Sequence, residues 1–290
     1  MRKAPPSVPN QLFAHPKSVL IFPPAGPEGA REYNLYVPRS YNATVPVPLV
    51  LHWHGWSDSC DKFGGHCADA HCGFFQQAEA RGFIFAAMCG WGEPASFNAG
   101  TCCPPANTFA LDDVALAREL VGNLSAALCV DPARVFTTGF SNGAMMSQVL
   151  GCGAWDLFAA VGSDAGVVEI APGNEEGLAK CNASYAGAPQ TLRVLDVHGT
   201  ADTTVPIGGD PILGFPPVPE NMAKWAERNG CAGAPATTWR SPDGSFYNLK
   251  WDACAKGGTV ERVVHPYTHE WPQVAGQFDT TTYVLDFFGV

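Results

Sequence analysis

Residues 134–148, "RVFTTGFSNGAMMSQ", change their local code within two positions. Val135, Phe136, Thr137 and Thr138 are β-formers, whereas the run from Asn142 onward suits a helix. A strand that feeds a helix at once, with Ser141 at the corner and a glycine two residues to either side, leaves the backbone little choice. The serine must sit in a tight, strained turn, and side chains at 139 and 143 would collide as strand and helix close together. A corner of that kind belongs in a sheet of parallel strands joined by helical crossovers.

The rest of the chain repeats the alternation. Strands are expected at 32–37, 48–53, 83–88, 134–139, 159–163 and 192–198, with a later one at "TVERVVH". Helices are expected at "FFQQAEARG", "LDDVALARELVGNLSAAL", "NGAMMSQVLGCG" and "VPENMAKWAERNG", the first and last of which carry a glycine stop signal. The C-terminal "FDTTTYVLDFFGV" reads as a last helix with Phe278, Tyr283, Val284, Phe287 and Phe288 near one face. Strands alternating with helices imply an α/β fold with a mostly parallel central sheet and helices on both faces. One catalytic domain is expected over 29–290, after a Pro-rich arm at 1–28. Within it, 232–262 turns rich in Gly, Pro, Thr and Ser between Cys231 and Cys254, the pattern of a disulfide-stapled excursion anchored by Trp239, Phe246, Tyr247 and Trp251.

Composition removes several function classes. The net charge is −10 and no basic run occurs, which argues against a nucleic-acid partner, because phosphate binding needs clustered Lys and Arg. The longest apolar runs, "VPVPLVLHW" and "GFIFAAMCG", fall well short of the roughly 20 residues of a membrane span. Eleven cysteines point to an oxidising compartment, and their odd number leaves at least one thiol free. Sequons at Asn42, Asn123 and Asn182 agree with an extracellular, glycosylated protein, although prolines interrupt the N-terminus before any signal-peptide core develops.

A serine hydroxyl attacks only when a base removes its proton, and the base needs a carboxylate to orient it. At a corner of this kind the chain order is Ser, acid, His, so only His198, His265 and His269 of the eight histidines can serve. His198 lies in a strand ahead of the best acid. Asp202, in the loop "HGTADTTVPI" directly after that strand, is the expected acid; Asp210 is farther out and Asp196 lies within the strand. His269, in the loop "HPYTHEWP", is the expected base, with His265 at the preceding strand end as the alternative. The oxyanion requires two backbone N–H donors, and those of Asn142 and Trp56 are expected, since Gly55 lets the loop after "LVLHWHG" approach closely. Trp91, Phe140, Phe215, Thr268 and Trp271 are candidates for the substrate pocket.

The pieces "LHWHG", "SFNAGTCCPPA", "LDDVALARELV", "CVDPARVFTTGFSNGAMM", "HGTADTTVPI", "GFPPVPENMAKWAERNGC" and "HEWP" span about residues 45 to 290. Together they resemble the esterase family that groups feruloyl and acetylxylan esterases with polyhydroxybutyrate depolymerases. The resemblance implies an α/β-hydrolase fold without a large lid, and the roles of nucleophile, acid and base for Ser141, Asp202 and His269. It implies no cofactor, and as substrate a small or oligomeric ester, including polysaccharide-linked ones; hydroxycinnamate esters are expected first, with polyhydroxybutyrate or acetylxylan as alternatives. Two departures stand out. The family often has Gly-Gly-Gly-His-x-Trp-Pro where this chain has "PYTHEWP", and His-Gly-Cys where it has His54-Gly55-Trp56.

A rival reading comes from the cluster His52, His54, Asp58, His66, Cys67, His71 and Cys72, all of which are zinc-ligand types. The spacing is not that of a tight metal signature, so no metal is expected. Disulfides among Cys60, Cys67, Cys72 and Cys89 account for the cysteines, while Cys102 and Cys103 pair either with each other or with separate partners.

Overall fold

Strands covered on both faces carry apolar residues at nearly every position, and "VPLVLHW" and "IFAAM" do so. In the computed structural model, which describes residues 17–21, 29–61, 70–100, 102–168, 181, 185 and 192–290, both lie at the heart of one sheet. Its strands are β1 (Lys17–Ile21), β2 (Arg31–Tyr36), β3 (Val47–Trp53), β4 (Ile84–Met88), β5 (Val130–Phe140), β6 (Ala160–Asp164), β7 (Arg193–Gly199), β8 (Tyr247–Trp251) and β9 (Thr259–His265). They are ordered β1-β2-β4-β3-β5-β6-β7-β9-β8. From β4 through to β9 neighbouring strands are parallel, and antiparallel pairings occur only toward the two edges.

Period-two alternation divides the core into two layers. Leu49, Leu51 and Trp53 of β3, with Ile84, Ala86 and Met88 of β4, face the helices α2 (Asp113–Ala127), α3 (Asn142–Gly153) and α4 (Val218–Arg228), whose Leu116, Leu120, Met146, Leu150, Met222 and Trp225 complete that layer. Val50, Phe85 and Phe136 face the other side, where α1 (Phe74–Arg81) contributes Phe74 and Ala78, and α5 (Thr280–Phe288) contributes Val284, Leu285 and Phe288. Phe136 and Phe288 stack at 4.8 Å. Sequence marks the helix ends. The Asp112 side chain accepts from the Ala115 N–H at the start of α2, Asp279 does the same for Thr282 in α5, and Gly82 and Gly289 close α1 and α5 with φ of 78° and 77°.

Three expectations need revision. The last helix starts at Thr280 rather than Phe278, because Phe278–Asp279 (β11) pairs with Gln273–Val274 (β10) and Asp279 then caps the helix. The segment 232–262 is no separate excursion: Cys231 and Cys254 are bonded, but Tyr247–Trp251 closes one edge of the main sheet against β9. Nor are residues 1–28 wholly an arm, since Lys17–Ile21 pairs with β2; the remainder lies outside the described residues.

Cys60 bonds Cys89, Cys102 bonds its neighbour Cys103, and Cys152 bonds Cys181. Cys72 is also disulfide-bonded, and among the described residues Cys129 is the free thiol. No helix among the described residues is long and apolar enough to cross a membrane.

Candidate active site

The C-terminal ends of β3, β5, β7 and β9 place the candidate residues. Ser141 follows β5 directly and has φ 53° and ψ −119°, a left-handed conformation that non-glycine residues avoid. Its N–H donates to the Asp164 carbonyl on the neighbouring strand at 2.9 Å, and its carbonyl accepts the first bond of α3, from Met145, at 2.9 Å. The glycines at 139 and 143 answer to contact: a Cβ on Gly139 would strike the Gly143 carbonyl, and one on Gly143 would strike the Trp53 carbonyl. The corner therefore raises Ser141 at the sheet's C-terminal edge, and its hydroxyl does not cap the helix it opens.

Asp202 lies just past β7, 4% exposed. One of its oxygens accepts the N–H groups of Thr204 at 2.8 Å and Val205 at 2.9 Å, and the other lies 2.7 Å from Nδ1 of His269. Burial pushes this carboxyl up, but the hydrogen bond and charge of His269, the Val205 N–H and the His198 ring outweigh it and hold the carboxyl below its ordinary value. The His269 ring packs on Phe140, the residue before Ser141, with centroids 4.8 Å apart. Acid and imidazole are thus joined, and the imidazole is seated against the serine's own turn.

The other acids and histidines have separate occupations. Asp210 accepts the N–H groups of Ile212 and Leu213 at 2.8 and 3.1 Å and shapes a turn with Phe215. Asp196 accepts the Ser163 hydroxyl at 3.0 Å, fully buried. His198 is also fully buried, with Nε2 2.8 Å from the Val205 carbonyl and 3.6 Å from Asp202. Burial lowers its affinity for a proton, but Asp196, the Val205 carbonyl and Asp202 together raise it above the ordinary value. His265 is 1% exposed between Phe246 and Tyr267, in a strand flanked on both sides rather than at the sheet's edge. Asp164 escaped the sequence reading; burial, then the charge of Asp196, pushes its carboxyl well above the usual range against the pull of Thr280.

Gly55 brings the loop after β3 onto the corner, since a Cβ there would lie 3.1 Å from the Phe140 ring and 3.4 Å from Cβ of Ser141. The N–H of Asn142, at the first turn of α3, has no intrahelical acceptor, and neither it nor the Trp56 N–H has a partner among the described residues. The Trp56 indole is 50% exposed and donates to the Pro104 carbonyl at 2.7 Å.

The pocket candidates separate. Trp91 is half-buried, edge-on to the exposed Phe109 at 5.1 Å, and Thr268 is exposed in the His269 loop. Phe140, Phe215 and Trp271 are buried core residues; Trp271 packs on Phe74 and donates its indole N–H to Thr281. Exposed Ile212 and Leu213, which sequence reasoning passed over, lie in the loop beyond Asp202.

The metal-ligand types do not converge where the structure describes them. His52 sits among the Phe74, Phe85 and Trp271 rings, His54 bonds main chain at Gly55 and Gly90, and Asp58 caps Ser59. Among the described residues no group of three or more His, Cys, Asp or Glu could hold an ion; His66, Cys67 and the His71 side chain lie outside them.

No family model matches the chain. Over 242 residues it is 30% identical to feruloyl esterase C of Emericella nidulans, an alignment covering 83% of this chain and 76% of that one. It is also 30% identical over 210 residues to feruloyl esterase B of Piromyces equi, covering 68% of this chain but only 35% of that protein's length. Among solved structures, an acetyl xylan esterase from Aspergillus awamori superposes with a TM-score of 0.69 at 18% identity, over 94% of this chain and 99% of that one.

Proposed function

Because the chain belongs to the feruloyl esterase family and carries the α/β-hydrolase fold, we propose that it hydrolyses carboxylic esters through Ser141, His269 and Asp202, with hydroxycinnamate esters of plant polysaccharide as the preferred substrate. The observation that carries the reading is the pairing of a serine at positive φ between strand and helix with an imidazole that is seated on that turn and bonded at 2.7 Å to a buried carboxylate.

In this mechanism His269 takes the proton of Ser141 as Oγ attacks the ester carbonyl. The imidazolium that forms is stabilised by Asp202, which stays ionised because its environment favours the charged form. The negative charge that develops on the carbonyl oxygen is received by the N–H groups of Trp56 and Asn142. His269 returns the proton to the departing alcohol, leaving an acyl-enzyme on Ser141; water, deprotonated by the same imidazole, then releases the acid. These steps require no cofactor. The exposed aromatic faces of Trp56 and Phe109, with Trp91 behind the latter, are the surfaces offered to a substrate ring.

Four disulfides with both partners described fit an oxidising, extracellular setting, and Asn42, exposed in a turn, is the better placed of the two described sequons for a glycan, since Asn123 lies within α2. The test of function is acid release from methyl ferulate, acetylated xylan and a 3-hydroxybutyrate oligomer, with Ser141→Ala protein as the blank. Preference for the ferulate, abolished in Ser141→Ala protein of unchanged melting temperature, is expected. An alanine variant keeping half the rate would remove Ser141 from the chemistry, and preference for another ester would reassign the substrate.

A further inference from the structure

We infer that His54 is a positioning residue for the oxyanion hole: its ring fixes the peptide plane whose N–H, that of Trp56, is one of the two presented to the developing oxyanion. This rests on the serine-hydrolase reading above. His54 is 1% exposed, with Nδ1 2.7 Å from the Gly55 carbonyl and Nε2 2.8 Å from the Gly90 nitrogen. A backbone N–H can only donate, so Nε2 must hold a lone pair toward Gly90. Nδ1 therefore bears the proton, and it donates to the Gly55 carbonyl.

That carbonyl and the Trp56 N–H are opposite ends of a single planar peptide unit. Holding the oxygen toward the buried ring turns the N–H the other way, and donation to the oxygen further polarises the amide. The Asp58 N–H, 3.2 Å from the same carbonyl, supports the arrangement from the far side of the turn. The plane also lies on the corner, since the Phe140 ring and Ser141 Cβ stand where a side chain at Gly55 would go.

The same imidazole touches the frame of the second donor. Its ring packs on Phe97 at 4.8 Å, and the Phe97 main chain grips the Asn142 side chain from both ends, its N–H donating to Oδ1 at 2.8 Å and its carbonyl accepting from Nδ2 at 3.0 Å. Gly90 has no room for a Cβ, which would fall 2.9 Å from Cε1 of His54 and 2.8 Å from the Ser96 nitrogen. Burial, reinforced by the charge of Arg31 and only partly opposed by the Gly55 carbonyl, lowers the His54 pKa from 6.5 to about 4. The ring is therefore neutral at working pH, in the single tautomer that serves both bonds.

Two substitutions separate those bonds. His54→Asn sets an amide N–H near the Nδ1 position and keeps a donor for Gly55; His54→Gln reaches the Nε2 position and keeps an acceptor for Gly90 alone. On methyl ferulate, His54→Gln is expected to lose on the order of a hundredfold in kcat with KM within about twofold, as when one oxyanion donor is lost, while His54→Asn stays within about tenfold of the parent. Equal kcat in the Gln variant and the parent, or a loss confined to KM, would overturn the assignment. A readout independent of any variant's folding is the ring nitrogen shifts of 15N-histidine-labelled parent protein at pH 7: a proton on Nδ1 of His54 is expected, and one on Nε2 would overturn the assignment. Activity surviving in Ser141→Ala would defeat the serine reading itself; a silent Ser141→Ala beside a fully active His54→Gln would defeat only the role of His54.

Discussion

His265 offers a test of how burial governs this end of the sheet. It is 1% exposed, its Nδ1 accepts the Tyr267 N–H at 3.3 Å, and its Nε2 has no partner among the described residues. Burial, helped by the neighbouring His198 and only partly offset by Asp202, lowers its pKa from 6.5 to about 4. The unfolded chain thus takes up a proton near 6.5 while the folded chain declines it until about 4, so the unfolded state binds more protons throughout that window. Stability is fully present above the upper value and drains away as pH falls toward the lower one. Between pH 7 and pH 5 the loss from this one site comes to about 2 kcal/mol. Other buried groups titrate over the same range, some with the opposite sign, so the whole-protein slope is no test. The comparison with His265→Asn is, because the amide oxygen can still accept the Tyr267 N–H while nothing at 265 titrates. Urea unfolding with the disulfides intact, at pH 7 and at pH 5, should show the parent losing about 2 kcal/mol more than the variant on acidification, the sites remote from residue 265 cancelling in the difference. Parallel losses in the two proteins, or a larger loss in the variant, would refute the argument that the folded ring resists protonation.

Asp202→Asn keeps an oxygen for the Thr204 and Val205 N–H groups but turns an amide N–H toward Nδ1 of His269, which favours the wrong tautomer; kcat on methyl ferulate should fall by about 10⁴ with little change in KM. A decrease under about tenfold would mean that another carboxylate orients the base. The Cys231–Cys254 bond closes a 23-residue separation, so replacing both cysteines with serine should lower stability by about 3 kcal/mol in urea unfolding and leave kcat unchanged, because the loop it closes belongs to the β8 edge; unchanged stability would show that β8 pairing alone holds the segment.

The local code was rich because the physics is local. A β-run broken by Gly-Phe-Ser-Asn-Gly turns at the serine, since a Cβ at 139 would strike the Gly143 carbonyl of the same corner, while the demand for glycine at 143 comes from the Trp53 carbonyl on a neighbouring strand. Alternating strands and helices likewise imply a parallel sheet, because parallel strands need long crossovers. Chain order narrowed acid and base to a few residues. It could not bring Asp202 and His269 to 2.7 Å, a contact across 67 positions that exists only because β7 and β9 are neighbours. Pairing and burial are decided at that level too. Tertiary packing turned Phe140, Phe215 and Trp271 inward and Ile212 outward, made an edge strand of 247–251, and bonded Cys102 to its own neighbour. It also gave His54 its two main-chain partners, one adjacent in sequence and one 36 residues away. A sequence fixes which groups a residue can offer; only the assembled chain decides which groups face them and how much water is left between.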